Sequence, residues 1–450
     1  MSSYKIFMLI ISMLVAVLHS NPASSQEKEE PKITLTLEQA IQSAKENNKH
    51  ITQAELKKDI ATQEVDIAKD RQLPDLDFHT SYARITNLTE FHNGYSNKEI
   101  IKAIPDMYDA TMSAKVPVYA GGRIKTAIEK SNKEKELSTL QIEKTTNDIE
   151  MDVIGTYLGI YKLMSVQQVI NEQIKEEQKR LREVQALKRN GAVTKNEILR
   201  AELQLNNMQL SLISNKKNIT VATHDLQTIL NLPEDITLQL DTANLLQMPA
   251  LEDAYEAYLQ KAYQKEDMRI ALKHQEIALT ERKEVKGAFY PTVGLFGSYA
   301  YKYPDYMLFP PTPYLYSFGM IGLDVNFSIS NLYKNKKKMA VANKHVTESQ
   351  LETSILKDEI TDKVFKEYQQ LQEIKERIPV TEKAIQQAEE NYRIIKVKYL
   401  NQLALITDMV DADNALLQAK FNNVSEKIDA QMKFYQLLYA SGMLDQKNLN

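Results

Sequence analysis

The chain has 450 residues, of which 12 are glycine, 13 are proline and none is cysteine. With 26% charged residues and a mean hydropathy of −0.42, it is too polar to be a bundle of membrane helices. Its net charge of −4 mixes both signs, so the sequence indicates no basic face for nucleic acid. The absence of cysteine excludes disulfides, thiolate metal sites and cysteine nucleophiles.

The N-terminus predicts an export signal. Lys5 precedes the apolar run IFMLIISMLVAVL (6–18), and HSNPASSQEKEE follows it. This pattern predicts a signal peptide over 1–25, cut after Ser25. A membrane anchor is the alternative, but the run falls short of the roughly 20 residues that span a bilayer. No other segment approaches a transmembrane helix, so we expect any membrane crossing to be made by strands.

The second half of the chain repeats the first. A shift of 211 residues aligns RNGAVTKNEILRAELQL (189–205) with LNQLALITDMVDADNALLQ (400–418), and it places Val118 on Ile329. Further upstream, QLPDLDFHTSY (72–82) is similar to AFYPTVGLFGSY (288–299). We therefore predict one integrated unit made of two structural repeats, 26–240 and 241–450, each with a helix, two strands and long helices.

Four short segments alternate apolar and polar residues, as strands do. They span 76–85, 108–118, 292–303 and 317–329, which gives hairpins over 76–118 and 292–329. Their length and single apolar face suit tilted strands that cross a bilayer. A small soluble β-sandwich is the alternative. The aromatic residues crowded between 290 and 318 and the long loops at 86–107 and 304–316 favour the membrane.

Four strands cannot close a barrel by themselves. An open sheet edge is not tolerated in lipid, because its backbone N–H and C=O groups would have no partners. Other copies of the chain must complete the sheet. Three copies would supply twelve strands, an even number within the range of known membrane barrels.

Long helices follow each pair of strands. They are predicted over 124–188, 195–230, 335–399 and 407–440, with Pro379 marking a site for a kink. Apolar residues recur at coiled-coil spacing at Ile149, Val153, Tyr157, Ile160 and Met164. Sixty-five helical residues extend roughly 100 Å. A soluble coiled-coil rod is the alternative, but a rod has no use for strand hairpins at the start of both repeats.

At this point the sequence resembles the TolC-like outer membrane efflux protein family over nearly the whole mature chain. The motifs are LTLEQAIQSAKENN, LPDLDFHTSY, VPVYAGGR, NGAVTKNEILRAELQL and KYLNQLALITDMVDADNALLQAK, in this order and spacing. The resemblance implies a mainly helical protomer with four transmembrane β-strands and long antiparallel coiled-coil helices. Three protomers would form a 12-stranded barrel in the outer membrane of a Gram-negative bacterium, continued by an α-helical periplasmic tunnel.

The resemblance also implies a function and its partners. Family members are ducts that work with a periplasmic adaptor and an inner-membrane transporter of the RND, ABC or MFS type, or with a type I secretion exporter. We expect a passive efflux channel for small molecules. A duct for type I protein secretion and a soluble periplasmic coiled-coil scaffold remain the alternatives. The helix turns near Gly191 and Asn401 are where an adaptor should dock.

Several site residues follow from the resemblance. Asp408 and Asp411 fall on the paired aspartates of the family's tunnel gate, and their i, i+3 spacing puts both on one helix face. Three copies would crowd six carboxylates around one opening. The alternative is that Asp408 is an N-cap and Asp411 a first-turn acid. Tyr399 and Glu197 fall where family members tie neighbouring helices shut.

The chain also departs from the family at its bends and in its gate. Gly121 and Gly122 permit the first strand to turn into its helix, but SNLYKNKKK (330–338) has no glycine pair. Asn331 and its neighbours are therefore expected to make the second bend, because Asn tolerates left-handed geometry. Asn401 and Gln402 replace the glycine of the second helical turn, and Ala404 replaces an arginine of the gate lock.

The sequence contains no recognisable catalytic motif. Its seven histidines are scattered, and none forms a pair at metal-binding spacing such as HExxH. No P-loop, GxGxxG or GxSxG occurs. We therefore predict that the protein is not an enzyme and has neither a cofactor nor a metal. The energy for transport must then come from a partner.

Overall fold

The computed structural model describes residues 32–233, 236–242, 254–308 and 310–444. The predicted signal peptide over 1–25 lies outside these residues. In the described ranges, every helix is too short or too polar to cross a bilayer. The helices are α1 (Leu37–Asn47), α2 (Lys49–Asp70), α3 (Arg123–Arg189), α4 (Lys195–Ile229), α5 (Tyr255–Ala262), α6 (Glu266–Gly287), α7 (Asn331–Leu400) and α8 (Ile406–Ser441). The strands are β1 (Lys32–Leu35), β2 (Asp75–Arg84), β3 (Leu88–Phe91), β4 (Lys98–Ile101), β5 (Asp106–Tyr119), β6 (Thr237–Leu240), β7 (Thr292–Tyr303) and β8 (Tyr316–Asn326).

The four predicted strands form one antiparallel sheet in the order β2-β5-β7-β8. The register pairs Phe78 with Met112, and Met112 with Tyr299, so apolar side chains share one face. The other face is polar and carries an ion pair between Lys302 Nζ and Asp109 Oδ2 at 2.8 Å. In the described chain, β2 and β8 each pair on one side only. The sheet therefore has two different faces and two unpaired edges.

The main apolar core lies at mid-length of α3 and α7, where the C-terminal parts of α4 and α8 pack against them. A parallel pair of short strands, β1 and β6, joins residues about 200 positions apart, and the sequence did not predict it. Tyr157 of α3 is fully buried beneath this pair, and its hydroxyl donates to Leu35 O at 2.9 Å and to Asp241 O at 2.6 Å. Val153 and Leu438 pack in the same cluster. These contacts tie α3 to the β1–β6 pair, and the shared apolar cluster packs α8 against α3.

The long helices pack as antiparallel pairs, α3 with α4 and α7 with α8. The predicted apolar seam is buried at Ile149, Val153, Tyr157 and Ile160. Met164 is instead 37% exposed, because the buried face of α3 continues through Ile170 after a shift of register. Pro379 lies inside α7 and does not end it.

The two strand-to-helix junctions are built differently. Gly121 and Gly122 adopt φ angles of +63° and +77°, the left-handed geometry that a bend before α3 requires. Asn331 does not make the second bend in this way, because it is the first residue of α7 and is not among the residues with positive φ. A turn over 328–330 precedes it instead, in which Asn331 N–H donates to Ser328 O at 3.0 Å.

The two tips where the long helices reverse direction share one geometry. Gly191 has φ +75°, and Ala192 N–H donates back to Leu187 O at 2.9 Å. At the shift of 211 residues, Gln402 has φ +61°, and Leu403 N–H donates to Lys398 O at 2.8 Å. Both are the left-handed C-terminal turns that satisfy the last carbonyls of a helix. At the second tip, the residue in left-handed geometry is Gln402 rather than Asn401.

The two junction glycines give a matched stability test. A Cβ at Gly121 would collide with the carbonyl oxygen of Gly287, whereas a Cβ at Gly122 would meet nothing within 4 Å. Left-handed geometry costs alanine about 1–2 kcal/mol at either site, and the collision adds about 1–3 kcal/mol at Gly121. We expect Gly121→Ala to lower the denaturant-measured free energy of unfolding more than Gly122→Ala. Equal losses would contradict this close packing.

Candidate functional site

The residues predicted for the gate, its lock and adaptor docking come together at the tips of the two long helix pairs. Here α3 ends, α4 begins, α7 ends and α8 begins, and we call this region the helical tip. A small apolar cluster holds it together, with Val184, Tyr399, Ile406 and Met409 all buried. Each of the four residues comes from the end of α3 or α7 or from the start of α8. The helical tip is therefore a separate small core, distinct from the main core at mid-helix.

Tyr399 and Glu197 are in direct contact at this tip. The Tyr399 hydroxyl donates to Glu197 Oε2 at 3.2 Å, which joins the end of α7 to the start of α4. Tyr399 is 7% exposed, and burial together with the neighbouring Glu197 carboxylate raises the pKa of its phenol above the ordinary value. The phenol therefore remains a hydrogen-bond donor over the physiological pH range. Whether this contact acts as a lock stays a prediction.

Asp408 and Asp411 share the exposed face of α8 but differ in their contacts. Asp408 is the third residue of the helix, and its Oδ2 accepts a hydrogen bond from the Leu405 backbone N–H at 2.9 Å. It is therefore not the N-cap residue, but it caps the helix from the first turn. Asp411 is exposed and forms no hydrogen bond or ion pair with other described residues. Its carboxylate is free to act on solvent and ions.

Sequence reasoning missed a buried charged cluster close to the gate residues. The cluster consists of Gln173, Glu177 and Arg180 on α3 and Asp413 on α8, each of them less than 9% exposed. Arg180 Nη2 lies 3.0 Å from Asp413 Oδ1, and Gln173 Nε2 donates to Asp413 Oδ2 at 2.6 Å. Arg180 Nη1 also donates to both Glu177 oxygens at 3.1 Å. One guanidinium thus serves two carboxyl groups, out of contact with solvent.

Burial and the neighbouring charges together shift the pKa values of this charged cluster. Burial, and then a hydrogen bond shared with Asp413, raises the pKa of Glu177 to about 8. For Arg180, burial acts to lower the pKa, but the adjacent Asp413 and Glu177 hold it above the ordinary value. The cluster therefore holds a charged arginine at every physiological pH, while Glu177 binds a proton near neutrality.

The spacing of residues along α3 could have predicted this charged cluster. On α3 the buried residues Ile170, Gln173, Glu177, Arg180 and Val184 are spaced three, four, three and four apart, which is a coiled-coil seam. Starting the same spacing again at Ile170, after the shift of register, would have placed three polar residues at core positions. Such residues are costly to bury without partners, so the pattern itself predicts a polar partner on the facing helix.

Other surface features lie far from the helical tip. A groove of about 440 Å³ runs between α3 and α6, and ion pairs cross it from Arg269 to Glu143 at 2.6 Å and from Lys273 to Glu136 at 2.7 Å. These pairs join the two helices and leave no convergent reactive groups. Among the described residues, no group of His, Asp and Glu is arranged to hold a metal ion.

Comparisons with known proteins agree with this architecture. Residues 40–232 match the model of the family described as outer membrane efflux protein. The structure of CusC superposes with a TM-score of 0.77 at 16% identity, over 90% of this chain and 91% of that chain. VceC of Vibrio cholerae gives 0.73 at 18% identity, over 90% and 96% of the two chains. CmeC of Campylobacter jejuni gives 0.72 at 16% identity, over 91% and 86%. No curated protein matches the sequence.

The fold is therefore that of the outer-membrane channel proteins. At 16–18% identity the structural matches establish the fold alone. Together with the family match over residues 40–232, they confirm the resemblance to the outer membrane efflux protein family that the motifs indicated.

The two aspartates of α8 are expected to differ in their effect on stability. Asp408→Ala removes the hydrogen bond to Leu405 N–H, and loss of such a cap costs about 1 kcal/mol. Asp411→Ala removes no contact and should change stability by less than about 0.5 kcal/mol. Denaturant unfolding followed by circular dichroism measures both. Identical unfolding curves for the two variants would contradict the capping role of Asp408.

Proposed function

We propose that the protein is a passive trimeric channel in the outer membrane of a Gram-negative bacterium. In this proposal it exports small molecules handed over by an inner-membrane pump through a periplasmic adaptor. The observation that carries it is the four-stranded sheet with one apolar face, one polar face and two unpaired edges, joined directly to helices of 67 and 70 residues. These helices extend about 100 Å at 1.5 Å per residue.

The sheet supports insertion into lipid. On β8, Ile321 is 85% exposed and Leu323 is 67% exposed, and both lie on the apolar face. A soluble protein rarely leaves a continuous apolar sheet face uncovered. In a bilayer the same face is solvated by acyl chains, and the unpaired edges of β2 and β8 can close only against the sheets of other copies. Three copies satisfy both requirements with twelve strands.

The helices support assembly below the membrane. On α4 an exposed apolar stripe follows coiled-coil spacing, formed by Leu199, Leu203, Leu210 and Ile213. A stripe of this kind needs a partner, and a neighbouring protomer in the same ring would cover it. In this arrangement the helices form the wall of a water-filled tunnel that continues the barrel into the periplasm.

The helical tip would be the periplasmic entrance of this tunnel. Asp408 and Asp411 lie on one exposed face, and three copies would place six carboxylates around the opening, which attracts cations and repels anions. Tyr399 and Glu197 would hold α7 against α4 in the closed entrance. The turns at Gly191 and Asn401, at the extreme ends of the helix pairs, would contact the adaptor.

Asp411 allows a test of both the channel and its gate. We expect Asp411→Asn to roughly halve the preference for cations over anions, because it removes half of the charge at the opening. Asp411→Glu keeps the charge and should retain the preference. The reversal potential of the purified protein in planar bilayers under a salt gradient measures both. Absence of any channel activity would contradict the proposed function, and unchanged selectivity in Asp411→Asn would contradict the gate.

A further inference from the structure

The charged cluster lies next to the gate residues but on the opposite side of α8. We propose that Arg180 is a positioning residue for the gate. By holding Asp413 it fixes the rotation of α8 against α3, so that Asp408 and Asp411 face the opening, and release of this link lets the start of α8 move. This inference rests on the proposed channel function.

The helix geometry couples Asp413 to the gate. Two residues along an α-helix turn the side chain by about 200°, so Asp413 points to the side opposite Asp411. Asp413 is 2% exposed and Asp411 is exposed, as this geometry requires. Any rotation of α8 that moves Asp413 out of its buried site also turns the two gate carboxylates. The position of the buried Asp413 therefore determines the direction in which Asp408 and Asp411 point.

Asp413 supplies the contact that crosses between helices. Both of its oxygens are used, one by Arg180 Nη2 at 3.0 Å and the other by Gln173 Nε2 at 2.6 Å, and both partners are on α3. The contact between Arg180 and Glu177 lies within α3. Arg180 Nη2 also donates to the Tyr392 hydroxyl of α7 at 3.4 Å. Loss of the Asp413 carboxylate would remove both of these contacts from α3 to α8, whereas loss of the Glu177 carboxylate would leave the Arg180 and Gln173 contacts with Asp413 in place.

The charged cluster is better suited to fixing geometry than to adding stability. Burying an ion pair costs desolvation free energy that its attraction often fails to recover, and apolar replacements of buried pairs are frequently as stable. The cluster is also incompletely satisfied, since the buried Arg180 Nε–H has no hydrogen-bond partner among the described residues. A link of this kind specifies one closed geometry while adding little net stability.

The protonation of Glu177 makes the link sensitive to pH. The titratable groups that face Glu177 are Arg180 on its own helix and Asp413 on α8, and Tyr392 of α7 faces Arg180. The folded state raises the pKa of Glu177 from 4.5 to about 8, so it favours the protonated form. The stabilisation is then complete at pH values below the ordinary carboxyl pKa and is lost as the pH rises through about 8. Alkaline conditions leave two anions to one cation and should loosen the bridge.

The absence of cysteine makes a distance measurement straightforward. Leu403 lies at the turn between α7 and α8 and is 77% exposed, so Leu403→Cys offers one spin-label site per protomer. Pulsed electron resonance on the purified full chain in lipid nanodiscs then reports the distances between labels of neighbouring protomers. Two variants of the charged cluster are matched, because Asp413→Asn and Glu177→Gln each replace one carboxyl oxygen by nitrogen.

We expect Asp413→Asn to shift the label distances towards an open entrance, with the ratio of open to closed populations rising about tenfold, as loss of a charged hydrogen bond allows. Glu177→Gln should keep the closed distances. Raising the pH from about 6 to about 9 should increase the label distances in the wild-type protein and leave those of Glu177→Gln unchanged. Arg377→Met serves as a control. It removes a different ion pair with α8, the one to Glu426, and should not widen the entrance.

The outcomes separate this inference from the proposed function. If Tyr399→Phe widens the entrance while Asp413→Asn does not, the gate exists and the positioning role of Arg180 is wrong. The positioning role is also wrong if Glu177→Gln widens the entrance as much as Asp413→Asn does. If the labels show no neighbouring protomers, the channel proposal is contradicted and the inference falls with it. The wild-type pH response needs no destabilising variant, so misfolding of Asp413→Asn still leaves a deciding test.

Discussion

The structure depends on one constraint, which is that backbone N–H and C=O groups need partners wherever water is absent. The sheet β2-β5-β7-β8 has an apolar face suited to lipid, yet β2 and β8 each present an unpaired edge in the described chain. A single copy cannot satisfy this constraint in a membrane. The proposed trimer, the continuous tunnel and the shared entrance all follow from the need to close these edges.

Paired polar groups also join the long helices to their neighbours. Charged pairs join α3 to α6, including Lys130 with Glu281 at 2.6 Å and Lys144 with Asp267 at 2.5 Å. Such pairs contribute little stability when exposed, but they link the two helices at several points along their length. At the helical tip the charged cluster does the same in a buried setting. Polar contacts thereby join the long helices in addition to their apolar seams.

Periodicity explains how much of the fold could be predicted from sequence. Alternation identified the four long strands, and heptad spacing identified the long helices to within a few residues, because both patterns arise from local geometry. The pairing of β1 with β6 could not be predicted, because a four-residue strand is too short to show a clear alternation of apolar and polar residues. The second bend lies next to Asn331, as a turn over 328–330, but Asn331 does not adopt the left-handed geometry that its residue type suggested.

The candidate site could be predicted only in part, for a related reason. Motif position brought Tyr399, Glu197, Asp408 and Asp411 to one region, and the structure puts Tyr399 in contact with Glu197. The capping contact of Asp408 depends on where α8 begins, a boundary that sequence sets only within a few residues. Arg180 and its partner Asp413 lie more than 230 residues apart in the sequence, beyond the reach of local patterns.

Hydrogen–deuterium exchange of the purified protein in lipid nanodiscs tests closure of the sheet most directly. If the sheets of several copies close into one barrel, the amides of the edge strands β2 and β8 will exchange as slowly as those of the central strands β5 and β7. Fast exchange confined to β2 and β8, in particles that contain a single chain, would contradict the account.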